Sequence, residues 1–315
     1  MPTLEVLGVD ALRDTVSTFR DVVNAHAARI NRLNVYPVPD GDTGTNMART
    51  LDGVVAEMDK APADLGATCD AISYGALMGA RGNSGVIVSQ ILRGVASTLK
   101  SADQATGAVV AAALEAATAG AYAAVLTPVE GTILTVVRAS AEAARKAADS
   151  GEPLDDVLRQ ARVGGQTALD QTPDLLPVLR DAGVVDAGGA GYLLLLDSAL
   201  HVVDGEPLPE PPVDPGTGDP FRTVAHRPAA GDGDLDVSEQ RYEVMFLCNL
   251  ADADIDALKE GWGRIGDSIV VVGGDGVWNC HVHTNDIGGA VEAGIAAGRP
   301  EKIRVTDLFE QVEEL

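Results

Sequence analysis

Aromatic side chains are nearly absent from this chain: Phe, Trp and Tyr make up 3% of its 315 residues. A core without them must be assembled from Ala, Leu, Val and Ile, whose small side chains let helices pack closely, so the composition leans towards an α-rich protein. The hydrophobic fraction of 46% is ample for such a core, and the length gives a prior of about two folded units. Basic residues are scarce as well, with 23 Lys and Arg against 47 Asp and Glu and a net charge of -24. A chain so charged repels phosphate backbones and anionic headgroups, which argues against non-specific nucleic-acid or membrane-surface binding. A bound polyphosphate would need metal ions to offset this field. Cysteine is limited to Cys69, Cys248 and Cys280, with no CxxC pair. That argues against a disulfide framework and fits a reducing, cytoplasmic setting. The N-terminus is acidic and has no apolar h-region, so it does not read as a signal peptide. The long apolar stretch from Val109 to Leu126 is Ala-rich and carries Glu115; it reads as a buried helix, with no membrane span expected. No GxxxxGK[ST] occurs, which removes the P-loop explanation for any nucleotide site.

What is present first is helical periodicity. Residues 8–33 place Leu12, Val16, Phe19, Val23 and Ile30 at helical spacing. Further helices fit 45–59, 65–80, 84–99, 104–125, 131–149, 153–171 and 189–203, punctuated by Gly and Pro. Eight helices over 1–204 predict one all-α unit. From Gly205 to Glu239 the chain turns Pro- and Gly-rich, which predicts an extended linker, with a strap packed on a domain as the alternative. Over 240–315 the period switches. Arg241–Cys248, Asp267–Gly273, Val277–Thr284 and Lys302–Thr306 read as strands, and Asp252–Trp262 and Asp286–Ala297 as helices. The order β-α-β-β-α-β predicts a ferredoxin-like α/β unit.

The richest segment is Asn34-Val-Tyr-Pro-Val-Pro-Asp-Gly-Asp-Thr-Gly-Thr-Asn-Met47. In extended chain, Asp40 and Asp42 point to one side. Their hard oxygens suit Mg²⁺, which proteins hold through one or two carboxylates plus substrate phosphates. Asn34 offers a further oxygen. Thr43, Gly44, Thr45 and Asn46 open a helix whose free N–H groups favour anions. The alternative is a plain capped turn with Asp42 or Thr43 as N-cap. Gly82, Asn83, Ser84 and Gly85 offer a second nest and a hydroxyl at a helix start. Gly131-Thr132 and Asp186-Ala187-Gly188 lie in two further Gly-bearing loops ahead of apolar helices. Such loops at one end of a helical barrel would assemble a nucleotide pocket. In the C-terminal unit, His281 and His283 alternate along one strand and face the same side. With Cys248 from the neighbouring strand they make a candidate zinc site with one open position; the alternative is two polar residues on an exposed sheet face. Gly261-Trp-Gly263-Arg-Ile-Gly266 matches GxGxxG by letter, but it follows a helix and precedes a strand, the reverse of the dinucleotide fingerprint.

The run NVYPVPDGDTGTNM, with GARGNSG, EGT and VVDAGGAGY, resembles the ATP-binding subunit of bacterial fatty acid kinase. The N-terminal domain of that subunit is of the DhaL type, named for the ATP-binding subunit of dihydroxyacetone kinase. The LC and HVHTND segments resemble its middle domain, so the likeness runs along the whole chain. The resemblance implies an antiparallel eight-helix barrel with ATP and two Mg²⁺ at one mouth. Asp40 and Asp42 would be metal ligands, Asn34 a less matching one, and Ser84 with its glycines the phosphate loop. It implies structural zinc at Cys248, His281 and His283. The substrate implied is a fatty acid presented by a separate binding protein and converted to acyl-phosphate; a homodimer is compatible with it. Thr43 stands where dihydroxyacetone kinases usually carry His, which favours the fatty acid branch. The family's further partner-binding domain is not in this sequence, so the expectation is ATP binding with weak turnover by these residues alone. The other readings are a dihydroxyacetone-type kinase subunit, an ATP- or ADP-binding regulator, and a zinc hydrolase, for which HVHTND lacks a Glu base.

Overall fold

A computed structural model describes residues 3–211, 240–274 and 276–313. Eight long helices form where the periodicity places them: α1 (Val9–Arg32), α2 (Thr43–Met58), α3 (Leu65–Gly79), α4 (Gly82–Lys100), α5 (Gly107–Ala124), α6 (Ile133–Asp149), α7 (Leu154–Asp170) and α10 (Ala187–Asp204). Each packs on the next, and α10 closes the ring on α1, so the eight make a barrel. Two short helices missed by the periodicity, α8 (Thr172–Leu175) and α9 (Pro177–Ala182), occupy the connection before α10. Each has proline in its first turn, where the missing N–H costs nothing.

The interior is aliphatic, as the scarcity of aromatics requires. Leu51, Val54, Val136, Val137, Ala144 and Ala161 are fully or almost fully buried in one core. Small residues set the helix spacing. A Cβ on Gly94 would lie 2.6 Å from the backbone N of Ala117, so α4 and α5 touch backbone to backbone. Helix α5 is long and apolar enough to cross a membrane. In the fold it buries Val110, Ala113, Leu114, Ala117 and Ala121 between α4 and α6.

Residues 205–211 do not leave the barrel as free linker. Leu208 packs against the core, the carbonyl of Pro209 lies 3.2 Å from His26 Nε2, and Glu206 pairs with Arg159. The rest of the expected linker, 212–239, lies outside the described residues.

The C-terminal unit is a four-stranded antiparallel sheet of β1 (Tyr242–Asn249), β2 (Gly266–Gly274), β3 (Val277–Thr284) and β4 (Arg299–Asp307), in the order β2-β3-β1-β4. With α11 (Ile255–Trp262) and α12 (Ile287–Ala297) this is the expected β-α-β-β-α-β arrangement; α13 (Leu308–Glu313) follows β4. One face of the sheet carries Val244, Phe246, Cys248, Val271, Cys280 and Val282 and packs with Leu258 and Trp262 of α11 and Ala290 of α12. The other face meets the barrel, where Met245, Val270 and Val272 pack on Leu77, Ala80, Val86 and Ala124. Asn279 Nδ2 donates to the Leu77 carbonyl at 3.1 Å, and Arg93 Nη2 to the Gly273 carbonyl at 3.0 Å. The sheet is therefore seated on the barrel.

Candidate functional site between the barrel mouth and the sheet

Consecutive barrel helices run antiparallel, so the loops before α2, α4, α6 and α10 all lie at one end of the ring. These are the loops that hold Asp40–Asp42, Gly82–Gly85, Gly131–Thr132 and Asp186–Gly188. Their association is direct in two places. A Cβ on Gly82 would lie 2.2 Å from Asn46 Nδ2, and a backbone hydrogen bond ties Asp186 to Ile133 at the start of α6.

Asp40 and Asp42 converge, although not through extended alternation. Gly41 takes φ of 63° and turns the chain, a conformation open to glycine at little cost. Burial, the charge of Asp42 and a hydrogen bond between the two raise the Asp40 carboxyl well above its ordinary range. Burial raises Asp42 too, partly offset by the Asn46 amide, which donates to Asp42 Oδ2 at 2.7 Å. Asp42 is the N-cap residue of α2, yet its side chain caps nothing. The plain capped-turn reading therefore does not account for it. Two half-buried, mutually repelling carboxyls with no ion pair among the described residues are suited to a divalent cation.

The start of α2 is a correction to the sequence reading. Two of its first-turn donors are taken, by Asn31 of α1 and by Asn34 just beyond it: the Thr43 N–H donates to Asn34 Oδ1 at 3.1 Å and the Thr45 N–H to Asn31 Oδ1 at 3.1 Å. The Thr43 hydroxyl also donates to Asn34 Oδ1, and Asn34 Nδ2 donates to the Val38 carbonyl at 2.6 Å. Asn34 thus clamps the loop, and its Oδ1 already accepts from both the N–H and the hydroxyl of Thr43. A Cβ on Gly44 would sit 2.3 Å from the Ala27 carbonyl oxygen, so that glycine serves helix packing. By contrast α4 begins at Gly82 with no side-chain cap. Asn83 Oδ1 is buried without a hydrogen-bond partner, and Ser84 Oγ lies 3.4 Å from the Thr43 carbonyl. The open helix terminus at this mouth is that of α4.

The remaining two loops are partly structural. Thr132 caps α6 by accepting from Leu134 N, while Gly131, with φ of 84°, donates its N–H to Thr135 Oγ1 at 2.8 Å. Asp186 caps α10 by accepting from Gly189 N at 2.6 Å. Burial raises the Asp186 carboxyl to about 6 against the backbone N–H groups of Gly189, Ile133 and Gly188. Its charge, after burial itself, raises the Tyr36 phenol, which places this loop beside the Asn34–Asp42 segment. Ala187 and Gly188 open α10 and are buried.

The sheet closes the site. His281 and His283 share the barrel-facing side of β3, with ring centroids 4.9 Å apart. Cys248 does not join them. It lies opposite Trp278, on the other face of the sheet, and its thiol points at the Gly294 carbonyl of α12. The third group is Glu243, directly opposite His283 in the β1–β3 register. One ligand atom from each of Glu243, His281 and His283 falls within 4.8 Å of the others. Burial and its neighbour His283 hold His281 well below the ordinary imidazole range, and burial lowers His283 to about 4. Burial, then the charge of Asp42, pushes Glu243 up to about 7. The 3.6 Å approach of His281 Nδ1 to Glu243 is therefore a contact of a neutral imidazole, not an ion pair. Both nitrogens of His281 and Nδ1 of His283 are buried without a hydrogen-bond partner. Buried polar atoms are rarely left so. Neutral imidazoles beside a carboxylate are donors suited to zinc, so these residues fit a metal, with Glu243 in the role expected of Cys248.

Two family profiles match the chain. Residues 37–201 match that of the DAK2 domain. The chain belongs to the DAK2-domain family. Residues 239–315 of this DAK2-domain chain match the second profile, the FakA-like middle domain of fatty acid kinase. The chain is 34% identical to Protein YloV of Bacillus subtilis (strain 168) over 92% of its own length and 53% of that protein. It is 35% identical to an uncharacterized protein of Staphylococcus aureus (strain USA300), over 92% and 54% respectively. It thus spans about half the length of these curated relatives. The dihydroxyacetone kinase from C. freundii, solved with AMP-PNP and Mg²⁺, aligns at a TM-score of 0.46 and 17% identity, over 64% of this chain and 34% of that one.

Sequence reasoning passed over Glu243 and Asp267 in this DAK2-domain chain. Both sit opposite His283 in the sheet, Glu243 from β1 and Asp267 from β2. The signal was available: once β1 and β3 are paired antiparallel, odd-numbered residues of β1 share a face with His281 and His283. Asp267 was hidden by a bulge, since Ser268 takes φ of 50° and shifts the register of β2.

Proposed function

We propose that this chain is the nucleotide-binding kinase subunit of a two-component acyl kinase, using Mg·ATP to phosphorylate the carboxylate of a fatty acid presented by a separate binding protein. The observation that carries the reading is the pair Asp40 and Asp42, half-buried and hydrogen-bonded to each other, beside the open N-terminus of α4. Asp40 and Asp42 would hold Mg²⁺, which would supply charge neutralisation at the nucleotide's phosphates. Gly82, Asn83, Ser84 and Gly85 would bind the phosphates through backbone N–H groups and the Ser84 hydroxyl. Asn46 keeps Asp42 oriented, and Asn34 and Asn31 fix the loop to α1. A fatty carboxylate is ionised at neutral pH and needs no general base, so positioning and charge neutralisation suffice for in-line transfer. No residue at the mouth needs to act as a base, and the raised Glu243 carboxyl is not required in that role.

Glu243, His281 and His283 would hold zinc, which would supply a fixed positive charge beside the barrel mouth. The middle-domain match supports the acyl branch over the sugar branch, as does Thr43, whose hydroxyl is bonded to Asn34. The test is ADP release coupled to acyl-phosphate, trapped with hydroxylamine, on adding a lipid-loaded partner to the full natural chain. Mg²⁺-dependent hydroxamate is the expected product. Phosphorylation of dihydroxyacetone with none of the lipid would transfer the chain to the sugar branch.

A further inference from the structure

Three arginines from three separate elements, half-buried Arg81 with exposed Arg49 and Arg304, lie near one another at the seam between barrel and sheet. Arg81 precedes the Gly82–Gly85 loop, and its backbone N–H donates to Thr50 Oγ1 at 3.1 Å, next to Arg49 on α2. Arg304 lies opposite Met245 in the β1–β4 register and so shares its face of the sheet. Met245 in turn packs in one cluster with Ala80, the residue before Arg81. Burial, followed by the charges of Arg304 and Arg49, lowers the Arg81 guanidinium from its ordinary value. Three like charges converge in a chain where acids outnumber bases 47 to 23. Most other arginines of the barrel and sheet have a carboxylate partner, among them Arg138, Arg145, Arg159 and Arg162. Among the described residues, none of Arg49, Arg81 and Arg304 forms an ion pair. Their acidic neighbours are engaged elsewhere: Asp42 with Asn46 and Asp40, Glu243 with Thr306 and the His281 contact.

Resting on the kinase reading above, we propose that Arg49, Arg81 and Arg304 form an anion subsite that holds the oxygens at the transfer centre, with Arg304 delivered from the sheet to complete it. Guanidinium forks match the geometry of carboxylate and phosphate oxygens, and a strongly acidic protein needs such a cluster to bring an anion near Asp40 and Asp42. The ligand chemistry is a singly or doubly charged oxyanion, and it has two sources: the γ-phosphate of the nucleotide or the carboxylate of the acceptor. Arg49 lies close enough to Asp42, and Arg304 to Glu243, to lower each carboxyl, so the subsite lies between the two candidate metal groups.

The experiment compares wild-type protein with Arg304→Gln and with the double variant Arg49→Gln/Arg304→Gln, all checked for retained helicity, and with Arg304→Lys. Calorimetry gives the affinities for AMP-PNP and ADP with Mg²⁺, and for hexanoate in the presence of Mg·ADP. If the γ-phosphate is the ligand, AMP-PNP binding weakens about tenfold in Arg304→Gln while ADP binding holds, because a charge-assisted contact is lost. If the acceptor carboxylate is the ligand, both nucleotide affinities hold and hexanoate binding is lost. Arg304→Lys retains charge and recovers part of either effect. Unchanged affinities for all three probes in the double variant overturn the proposal. Failure of the wild-type protein to bind either nucleotide overturns the kinase reading itself.

Discussion

Glu243 of β1 stands directly across from His283 of β3, whereas Cys248, five residues further along β1, stands across from Trp278 on the opposite face of the sheet. An odd offset along a strand reverses the face. The two residues therefore have different fates: Glu243 looks into the barrel mouth and Cys248 into the core beneath α12. Zinc stoichiometry of protein purified without added metal is expected to fall in Glu243→Gln and in His283→Ala. In Cys248→Ser it should be retained, at a cost of about 1–2 kcal/mol in stability from the buried thiol. Zinc lost from Cys248→Ser and kept by Glu243→Gln would reverse the assignment.

Asp40 and Asp42 carry a conflict between function and stability. Both carboxyls are raised above the ordinary range by burial. With a folded value above the unfolded one, their contribution to stability is fully present below the unfolded value and is lost as pH rises through the folded value. At neutral pH without metal the charged pair opposes folding. Asp40→Asn is thus expected to raise the apo melting temperature, by an amount corresponding to about 1 kcal/mol. The same change should remove the stabilisation that Mg²⁺ with nucleotide gives the wild-type protein. Thermal denaturation at pH 7.5 with and without Mg·ADP measures both effects. A lower apo melting temperature in the variant would contradict this account.

Asp186 supplies a second pH dependence with a defined window. Its carboxyl rises from 3.8 to about 6 on folding. Stability from this residue should decline between about pH 4 and pH 6, a span worth on the order of 3 kcal/mol. Asp186→Asn keeps an acceptor for the Gly189 N–H and should flatten that part of the profile. Asp186→Ala should flatten it too, while lying about 1 kcal/mol below Asp186→Asn at all pH values through the missing cap. Urea denaturation across the window distinguishes the two variants.

Two glycines separate steric from conformational demands. Gly82 has φ of 55° and no room beside Asn46, whereas Gly151 has φ of 78° with nothing within 4 Å of a Cβ. Gly151→Ala should cost about 1 kcal/mol from backbone strain alone. Gly82→Ala should cost more and displace Asn46, and with it Asp42, so nucleotide binding fails as well. Equal losses in stability with binding intact in both variants would detach Gly82 from the site.

The helices and strands were legible because burial dictates their periods: Leu12, Val16, Phe19 and Val23 declare one face of α1, and the valines of β2 declare a strand. The seating of the sheet on the barrel was not legible. It depends on Met245, Val270 and Val272 meeting Leu77 and Ala80, a contact between segments more than 150 residues apart in which no single pattern repeats. Hence the approach of Arg304 to the barrel mouth was invisible, whereas Glu243 was readable from strand parity and was missed because Cys248 was preferred for its chemistry. The loop-clamping role of Asn34 was hidden for a different reason: its chemistry permits both metal ligation and clamping, and only the fold brings the Thr43 N–H to its Oδ1.

The central claim is that Asp40 and Asp42 bind metal-complexed nucleotide at the mouth of the barrel. Calorimetric titration of AMP-PNP into the protein, with Mg²⁺ and with EDTA, tests it most directly when repeated on Asp40→Asn and Asp42→Asn. Binding that requires Mg²⁺ in the wild-type protein and disappears in both folded variants is the predicted result. Nucleotide binding that is indifferent to Mg²⁺, or that survives intact in either variant, would contradict it.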